Sequence, residues 1–247
     1  MIISGVIVIT LFVGFICGCT SVGGVLLIPF LAAFLEMPLR VVMGTVLFSF
    51  FFSGLVGSVM HLRAGRVDLR FCLPLCLAAL VAGYPGAIAK HYVSTGALNA
   101  VLGLLIVMAG VFSLRPVARK SGFAEARGAR QTIPLVLTGG GVAFFCGMTG
   151  AGGPVLSVPV MLLLGYPPLL CIAAAVPLQV AITFSGSIGN MVIGDIDYLL
   201  GLWITLLMSI GVAAGTWSIK FFKPEPLKKI VSLICIGTGL FMLAKNF

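Results

Sequence analysis
Apolar residues run through this chain in long unbroken stretches, without the regular polar positions that give a soluble helix or strand a wet face. From Gln131 to Gly194 there is no Asp, Glu, Lys, Arg or His. As helix that run would be roughly 95 Å long, about three hydrocarbon thicknesses. The first 35 residues are also free of charge, as are Val41 to Met60, Phe71 to Ala89, Tyr92 to Leu114 and Tyr198 to Ile219. Stretches of this length predict membrane-spanning helices.

Shifting the sequence against itself by 129 positions reveals an ungapped repeat. It pairs Gly18-Cys19-Thr20-Ser21-Val22-Gly23-Gly24 with Gly147-Met148-Thr149-Gly150-Ala151-Gly152-Gly153, both reading G-x-T-x-x-G-G. It also pairs Phe15 with Phe144, Cys17 with Cys146, Pro38 with Pro167, Gly57-Ser58 with Gly186-Ser187, Gly65 with Gly194, Asp68 with Asp197 and Gly86 with Gly215. A constant register over about a hundred residues points to duplication. The chain divides into an N-terminal repeat over 1–115, a linker over 116–131 and a C-terminal repeat over 132–247, forming one integrated unit.

Loop charge orients the repeats, because cytoplasmic loops are enriched in Lys and Arg. The loop His61 to Arg70 carries Arg63, Arg66 and Arg70, whereas its repeat partner around Asp195 and Asp197 carries no base. The linker (Arg115, Arg119, Lys120, Arg127, Arg130) and the late loop (Lys220, Lys223, Lys228, Lys229) are also basic, hence cytoplasmic. Both termini and the loops near His91 and Asp195 fall on the external side. Equivalent loops then face opposite sides, the inverted arrangement common in secondary transporters. The fold class is all-α polytopic membrane protein with two inverted-topology repeats, each a short or re-entrant helical hairpin plus three transmembrane helices. The spans are expected near 41–60, 71–89 and 96–114, and again near 169–192, 198–219 and 229–246. The hairpin arms, about 2–17 and 25–35 in the first copy, fall short of the ~20 residues that cross a bilayer. Their length favours a Gly-rich tip inside the membrane.

A non-helical tip at membrane depth must be buried by protein or line a wet cavity. After each tip a short helix begins, ended or kinked near Pro29 or Pro159, so its free N–H groups and positive dipole end point at the tip. That makes an anion site. The candidate binding residues are Thr20, Ser21, Val22, Gly23 and Gly24 with Thr149, Gly150, Ala151, Gly152 and Gly153. The hydroxyls of Thr20, Ser21 and Thr149 add donors, and Gln179, two residues after Pro177, forms a side wall as the one amide in an apolar span. The competing reading is that the glycines only permit close helix packing and that Thr and Ser bond back to their own helix. Gly54, Gly57, Gly186 and Gly189 fit packing better.

Composition removes several function classes. Hydrophobic residues make up 60 % of the chain and charged residues 9 %, against about a quarter charged in a soluble domain. The net charge of +9 sits in short loops and not on one amphipathic face, so it reads as topology and not as nucleic-acid binding. Seven cysteines lie in or beside apolar stretches without paired metal-ligand spacing, so no disulfide framework, metal or cofactor is expected. Cys17 and Cys146, just before each tip, can either meet a sulfur-containing ligand or pack as small hydrophobes. Ile16-Cys17-Gly18-Cys19 looks like a lipoprotein processing site, yet no base precedes it and Phe145-Cys146-Gly147-Met148 repeats it in mid-chain. No charged residue stands at mid-span, so a buried counter-ion pair is not expected.

At its tips the sequence resembles the TauE/SafE sulfite exporter family of bacterial membrane transporters. The family's G-x-x-x-x-G-G segment and following Val/Ile-Pro pair correspond to Gly18 to Gly24 with Ile28-Pro29, and to Gly147 to Gly153 with Val158-Pro159. Its later G-N-V-D-W-like element corresponds to Gly65-Arg66-Val67-Asp68-Leu69 and Gly194-Asp195-Ile196-Asp197-Tyr198. The Asn and Trp are replaced in both copies, while the retained Asp68 and Asp197 are expected to cap the following helix. The resemblance implies export of sulfite or organosulfonates such as sulfoacetate by alternating access, in a bacterial inner membrane. The partners are then a small sulfur anion and the lipid bilayer, with a homodimer as an option. A passive anion channel shares these features. An intramembrane enzyme would need a nucleophile with a base, or a metal, at depth; His61 and His91 stand at span ends, so no catalytic residue is assigned.

Overall fold
A computed structural model describes residues 2–20, 23–35, 37–63, 65, 67–114, 129–218 and 224–245. Among the described residues every element is helical. The first half holds α1 (Ile2–Thr20), a 3-10 turn (Gly23–Leu26) running into α2 (Leu27–Leu35), α3 (Leu39–Arg63), α4 (Leu69–Tyr92) and α5 (Thr95–Leu114). The second holds α6 (Ala129–Thr149), α7 (Pro154–Leu163), α8 (Pro168–Ile193), α9 (Tyr198–Ser218) and α10 (Pro224–Lys245). Six of these are long and apolar enough to cross a bilayer. The helix order thus repeats, and α3, α8 and α9 begin where the 129-residue shift places them.

The first arm of each hairpin is longer than expected. α1 has 19 residues and α6 has 21, so only the second arm is short, with 9 residues in α2 and 10 in α7. Helix runs through the G-x-T part of each motif, to Thr20 and Thr149, and α6 continues past Pro134 to reach it.

Helix ends follow local chemistry. Asp68 caps α4, its Oδ1 accepting from Arg70 N at 3.0 Å and Phe71 N at 3.4 Å. Asp197 accepts from Leu200 N at 3.0 Å at the equivalent start of α9. Gly194 ends α8 with φ 83°, a left-handed position that glycine takes without strain. Pro74 and Pro85 lie inside α4 and Pro177 inside α8, which packed membrane helices tolerate because neighbours satisfy the freed carbonyls.

Lipid is as apolar as leucine, so these helices associate through close van der Waals packing at small residues. Gly14 and Gly18 of α1 lie against Met208 and Val212 of α9, and Gly139 and Gly147 of α6 against Leu75 and Gly83 of α4. In both pairs the numbering rises together, so the helices run parallel. α3 and α8 run antiparallel, Gly44 facing Asn190 and Gly57 facing Val176. So do α5 and α10, Gly103 facing Gly239 and Gly110 facing Ser232. α3 with α8, and α5 with α10, are repeat equivalents; each helix of these pairs therefore points opposite to its counterpart. The outer surface is apolar, with Val81, Leu137, Leu199, Trp203 and Phe241 all exposed.

One feature departs from the sequence expectation. Lys90, at the end of α4, is completely buried. Its Nζ forms an ion pair with Asp195 Oδ2 at 2.9 Å and donates to Asn190 Oδ1 at 2.5 Å and to the Arg40 carbonyl at 3.0 Å. Arg40 in turn donates to Val93 O at 2.8 Å. The buried pair was not expected because its members are 105 residues apart (90 to 195) and each sits at a helix end.

Two sets of variants test this packing. Gly86→Val and Gly215→Val push a side chain into the backbone at Phe144 and Phe15 respectively and should each cost about 1–3 kcal/mol. Thermal melting in detergent should fall for both and stay unchanged for Gly237→Ala, where nothing lies within 4 Å. Lys90→Met strands the Asp195 carboxylate and should cost about 3 kcal/mol, most of it regained in Lys90→Met/Asp195→Asn; equal melting of the single and double variants would show the pair to be uncoupled.

Candidate functional site
The second tip shows why its motif needs glycine. Gly150, Gly152 and Gly153 take φ of 76°, 75° and 92°, where other residues are strained. Pro154 follows at the first helical position, with φ preset for a helix and no N–H to satisfy. Leu156 N and Ser157 N both donate to Gly153 O, at 3.2 and 3.0 Å. The N–H groups of Ala151, Gly152 and Val155 find no carbonyl acceptor among the described residues. These are the orphan donors of a helix start, held inside the protein.

Both tips close on one point, the crossing of α3 and α8. Carbon atoms placed on Gly24 and Gly152 would meet the Phe50 ring at 3.0 and 2.6 Å, and one on Gly153 would lie 3.2 Å from Gln179 Cα. Gln179 Nε2 donates to Phe50 O at 3.3 Å. Phe50 and Gln179 are themselves separated by 129 residues, so the two repeat-equivalent positions face each other there. Phe50 escaped the sequence reading because an aromatic in an apolar span carries no signal; shifting Gln179 back by the repeat length would have found it.

Of the expected site residues, the structure gathers Gly24, Ala151, Gly152, Gln179 and the start of α7 around a cavity of about 10 Å³, closed also by Cys17, Val25 and Phe50. Gly153 packs on Gln179, and Gly150 lies against Met43 of α3, outside that cavity. Thr149 does not serve as a free donor: its Oγ1 donates to Phe145 O at 2.8 Å within α6, the back-bonding alternative. Ser21, Val22 and the side chain of Thr20 lie outside the described residues, as does the surrounding of Gly23 beyond its place in the 3-10 turn. Cys17 and Cys146 occupy matching places, Cys17 Sγ lying 3.5 Å from where a Cβ on Gly24 would stand and Cys146 buried at the end of α6.

A second cavity, of about 40 Å³, adjoins the first and shares Cys17, Pro154 and Gln179 with it. It is walled further by Gly18, Ser53, Gly57, His61, Val176 and Thr216. This corrects the placement of His61: although near the end of α3, it lines the space next to the first tip. Late α3, early α8 and late α9 all meet at this end of the bundle, the end from which the linker runs. A cavity of about 620 Å³ lies elsewhere, between α2, α5 and α10; apart from Asn99 and Thr238 its wall is apolar, and neither tip reaches it. Among the described residues no cluster of three or more His, Cys, Asp or Glu side chains is placed to hold a metal.

Comparison with known proteins agrees with this architecture. The family model for the sulfite exporter TauE/SafE matches residues 6–242. A protein of Methanocaldococcus jannaschii named as a probable membrane transporter is 22 % identical over 94 % of this chain and 93 % of its own length. Bacillus subtilis YdhB, named in the same way, is 22 % identical over 96 % of this chain and 99 % of its own. No solved structure matches the chain significantly. With a broken helix in each half, an apolar outer surface and a family match over nearly its whole length, the chain belongs to the TauE/SafE sulfite exporter family of multi-pass membrane transporters.

Proposed function
We propose that this protein exports small sulfur-containing anions, sulfite or organosulfonates such as sulfoacetate, by alternating access, with the anion held at the helix starts of the two tips near the membrane midplane. The carrying observation is the convergence of both tips on Phe50 and Gln179, halfway along α3 and α8, with the Ala151, Gly152 and Val155 N–H groups unaccepted beside them. Backbone donors at a helix start suit a compact oxyanion, and in a low-dielectric surround they favour negative charge. The choice of sulfur anion rests on the family description.

The antiparallel α3/α8 and α5/α10 pairs support an inverted repeat in the membrane. Arg63, Arg70 and the linker then lie on the cytoplasmic side of a bacterial inner membrane, and the ends of the chain outside. On that reading the 40 Å³ cavity lies on the cytoplasmic side of the tips and the Lys90–Asp195 pair on the opposite side. A membrane potential negative inside drives anions outward by about 2.3 kcal/mol per charge per 100 mV. Basic loops at the inner entrance raise the local anion concentration.

Proteoliposome flux of sulfite, sulfate, thiosulfate, sulfoacetate and taurine, with and without a potential, tests this reading. Saturable transport of sulfite or a sulfonate is expected; non-saturating flux would assign a channel instead. Gln179→Leu should lower kcat/KM about tenfold, or ~1.4 kcal/mol, and unchanged kinetics in a correctly folded Gln179→Leu protein would remove the tips from the site. A C-terminal tag should be accessible from the periplasm, and cytoplasmic labelling would overturn the orientation.

A further inference from the structure
The 40 Å³ cavity beside the first tip has an image under the 129-residue shift. Among its lining residues, Gly18 of α1, Gly57 of α3, Val176 of α8 and Val212 and Thr216 of α9 correspond in sequence to Gly147 of α6, Gly186 of α8, Leu47 of α3 and Gly83 and Ala87 of α4. The image lies on the far side of the Phe50–Gln179 crossing. Leu47 precedes Phe50 and Gly186 follows Gln179, whereas in the cavity Gly57 follows Phe50 and Val176 precedes Gln179. In the structure the image residues close on one another. A carbon placed on Gly186 would meet the Leu47 side chain at 2.6 Å, Gly147 Cα at 3.6 Å and the Gly83 carbonyl at 3.8 Å. One on Gly147 would meet that carbonyl at 2.5 Å and Ala87 N at 3.2 Å. The matching distance at the cavity, from a carbon on Gly57 to Val176, is 3.1 Å, and valine is the shorter side chain by one methylene.

Beyond Leu47, toward the end of α8, polar contacts tie the same seam together. Lys90, at the end of α4, reaches Asn190 of α8, the Arg40 carbonyl of α3 and the Asp195 carboxylate that follows α8. Thr45 of α3 accepts from Asp197 N at 3.0 Å, and Ser49 donates to Gly201 O of α9 at 2.9 Å. Ser185 of α8 donates to Leu80 O of α4 at 2.6 Å. The ion pair makes this closure all-or-none. Lys90 is completely buried, so a small separation from Asp195 leaves two charges without partner or water, which is strongly unfavourable. Two arrangements escape that cost: the seam fully shut, or open widely enough for water to hydrate both groups.

We propose that the seam between α3, α4, α6 and α8 is the exit pathway of the anion, closed here with Leu47 as its plug and the Lys90–Asp195 pair as its lock. The inference rests on the transport reading above and names the residues through which the substrate leaves. In a fold of inverted repeats, alternating access lets each half take up the arrangement of the other, so the cavity beside the first tip shows the form that the seam takes when it opens. Opening lifts Leu47 from Gly186, parts Lys90 from Asp195 with water around both, and connects the tips to the external side past Asn190. The glycines at 83, 147 and 186 serve both states, since without side chains they let Leu47 seat when the seam is shut and leave the path unobstructed when it is open.

Labelling with a membrane-impermeant methanethiosulfonate during sulfite transport tests this, each cysteine being read by mass spectrometry of its own peptide. Leu47→Cys, or Ala87→Cys should the first fail to fold, should be modified from the external face of right-side-out vesicles, and about tenfold faster when Asp195→Asn is added. Native Cys171, buried near the other end of α8, should gain no label in the same samples. Kinetics give a second measure. By favouring the open seam, Asp195→Asn should lower KM for sulfite offered at the external face and raise it at the linker face of inside-out vesicles, changing their ratio about tenfold. A purely structural role for the ion pair would move both constants alike. Absence of external label on the introduced cysteine in protein that transports sulfite overturns the pathway and leaves the tip site standing, as does an unchanged KM ratio in Asp195→Asn. Equal label on Cys171 would mean that the whole bundle has loosened, and overturns it too. A wild type that moves no sulfur oxyanion overturns the transport reading and this inference with it.

Discussion
A helix broken inside hydrocarbon exposes N–H groups that lipid cannot satisfy, each costing several kcal/mol, and the architecture of this protein follows from how that cost is met. The break after α6 is enclosed by α3 and α8, which cross at Phe50 and Gln179 and press on the glycines of both tips. Leu156 and Ser157 donate back to Gly153. What stays unpaired is a small set of donors beside one narrow cavity. Enclosure of this kind requires α1 and α6 to pack very closely on α9 and α4. The glycines at 14, 18, 139 and 147 permit it, since their facing contacts are largely backbone.

Duplication supplies the geometry and divergence supplies the chemistry. Equivalent positions meet or mirror one another; the tips keep the same glycines, while the positions that face them differ. Phe50 opposes Gln179 at the crossing, one a flat apolar wall and the other an amide with donors and an acceptor. His61 lines the space beside the tips, while Asn190 helps to bury Lys90. Two identical halves would close equally well at either end. The ion pair of Lys90 with Asp195 stands at one end only, so the two ends of the α3/α8 pair are held by different contacts.

The sequence was legible where physics acts locally or along one dimension. Charge-free runs located the spans; the observed α3, α4 and α8 extend the expected ranges by a few residues at each end, and α9 matches its range almost to the residue. Asp68 and Asp197 cap helices as their position suggested. The first arm of the hairpin is longer than its expected 2–17, α1 running on to Thr20 inside the motif, while the second arm is short as expected. Thr149 was read as a donor, but a threonine on the last turn of a helix has a carbonyl four residues back within reach, and that bond forms.

The sequence by itself determined the solvent, the duplication, the sign of each loop and the places where the helices must break, because hydrophobic length, repeat register and glycine content are properties of the chain in one dimension. Only the tertiary structure decided what those breaks face. That Phe50 and Gln179 meet, that His61 borders the first tip and that Lys90 pairs with Asp195 are contacts between segments distant in sequence, among them the 129- and 105-residue separations of the Phe50–Gln179 and Lys90–Asp195 contacts. They depend on the angle at which α3 crosses α8, which glycine packing sets and which no pattern of apolar residues encodes.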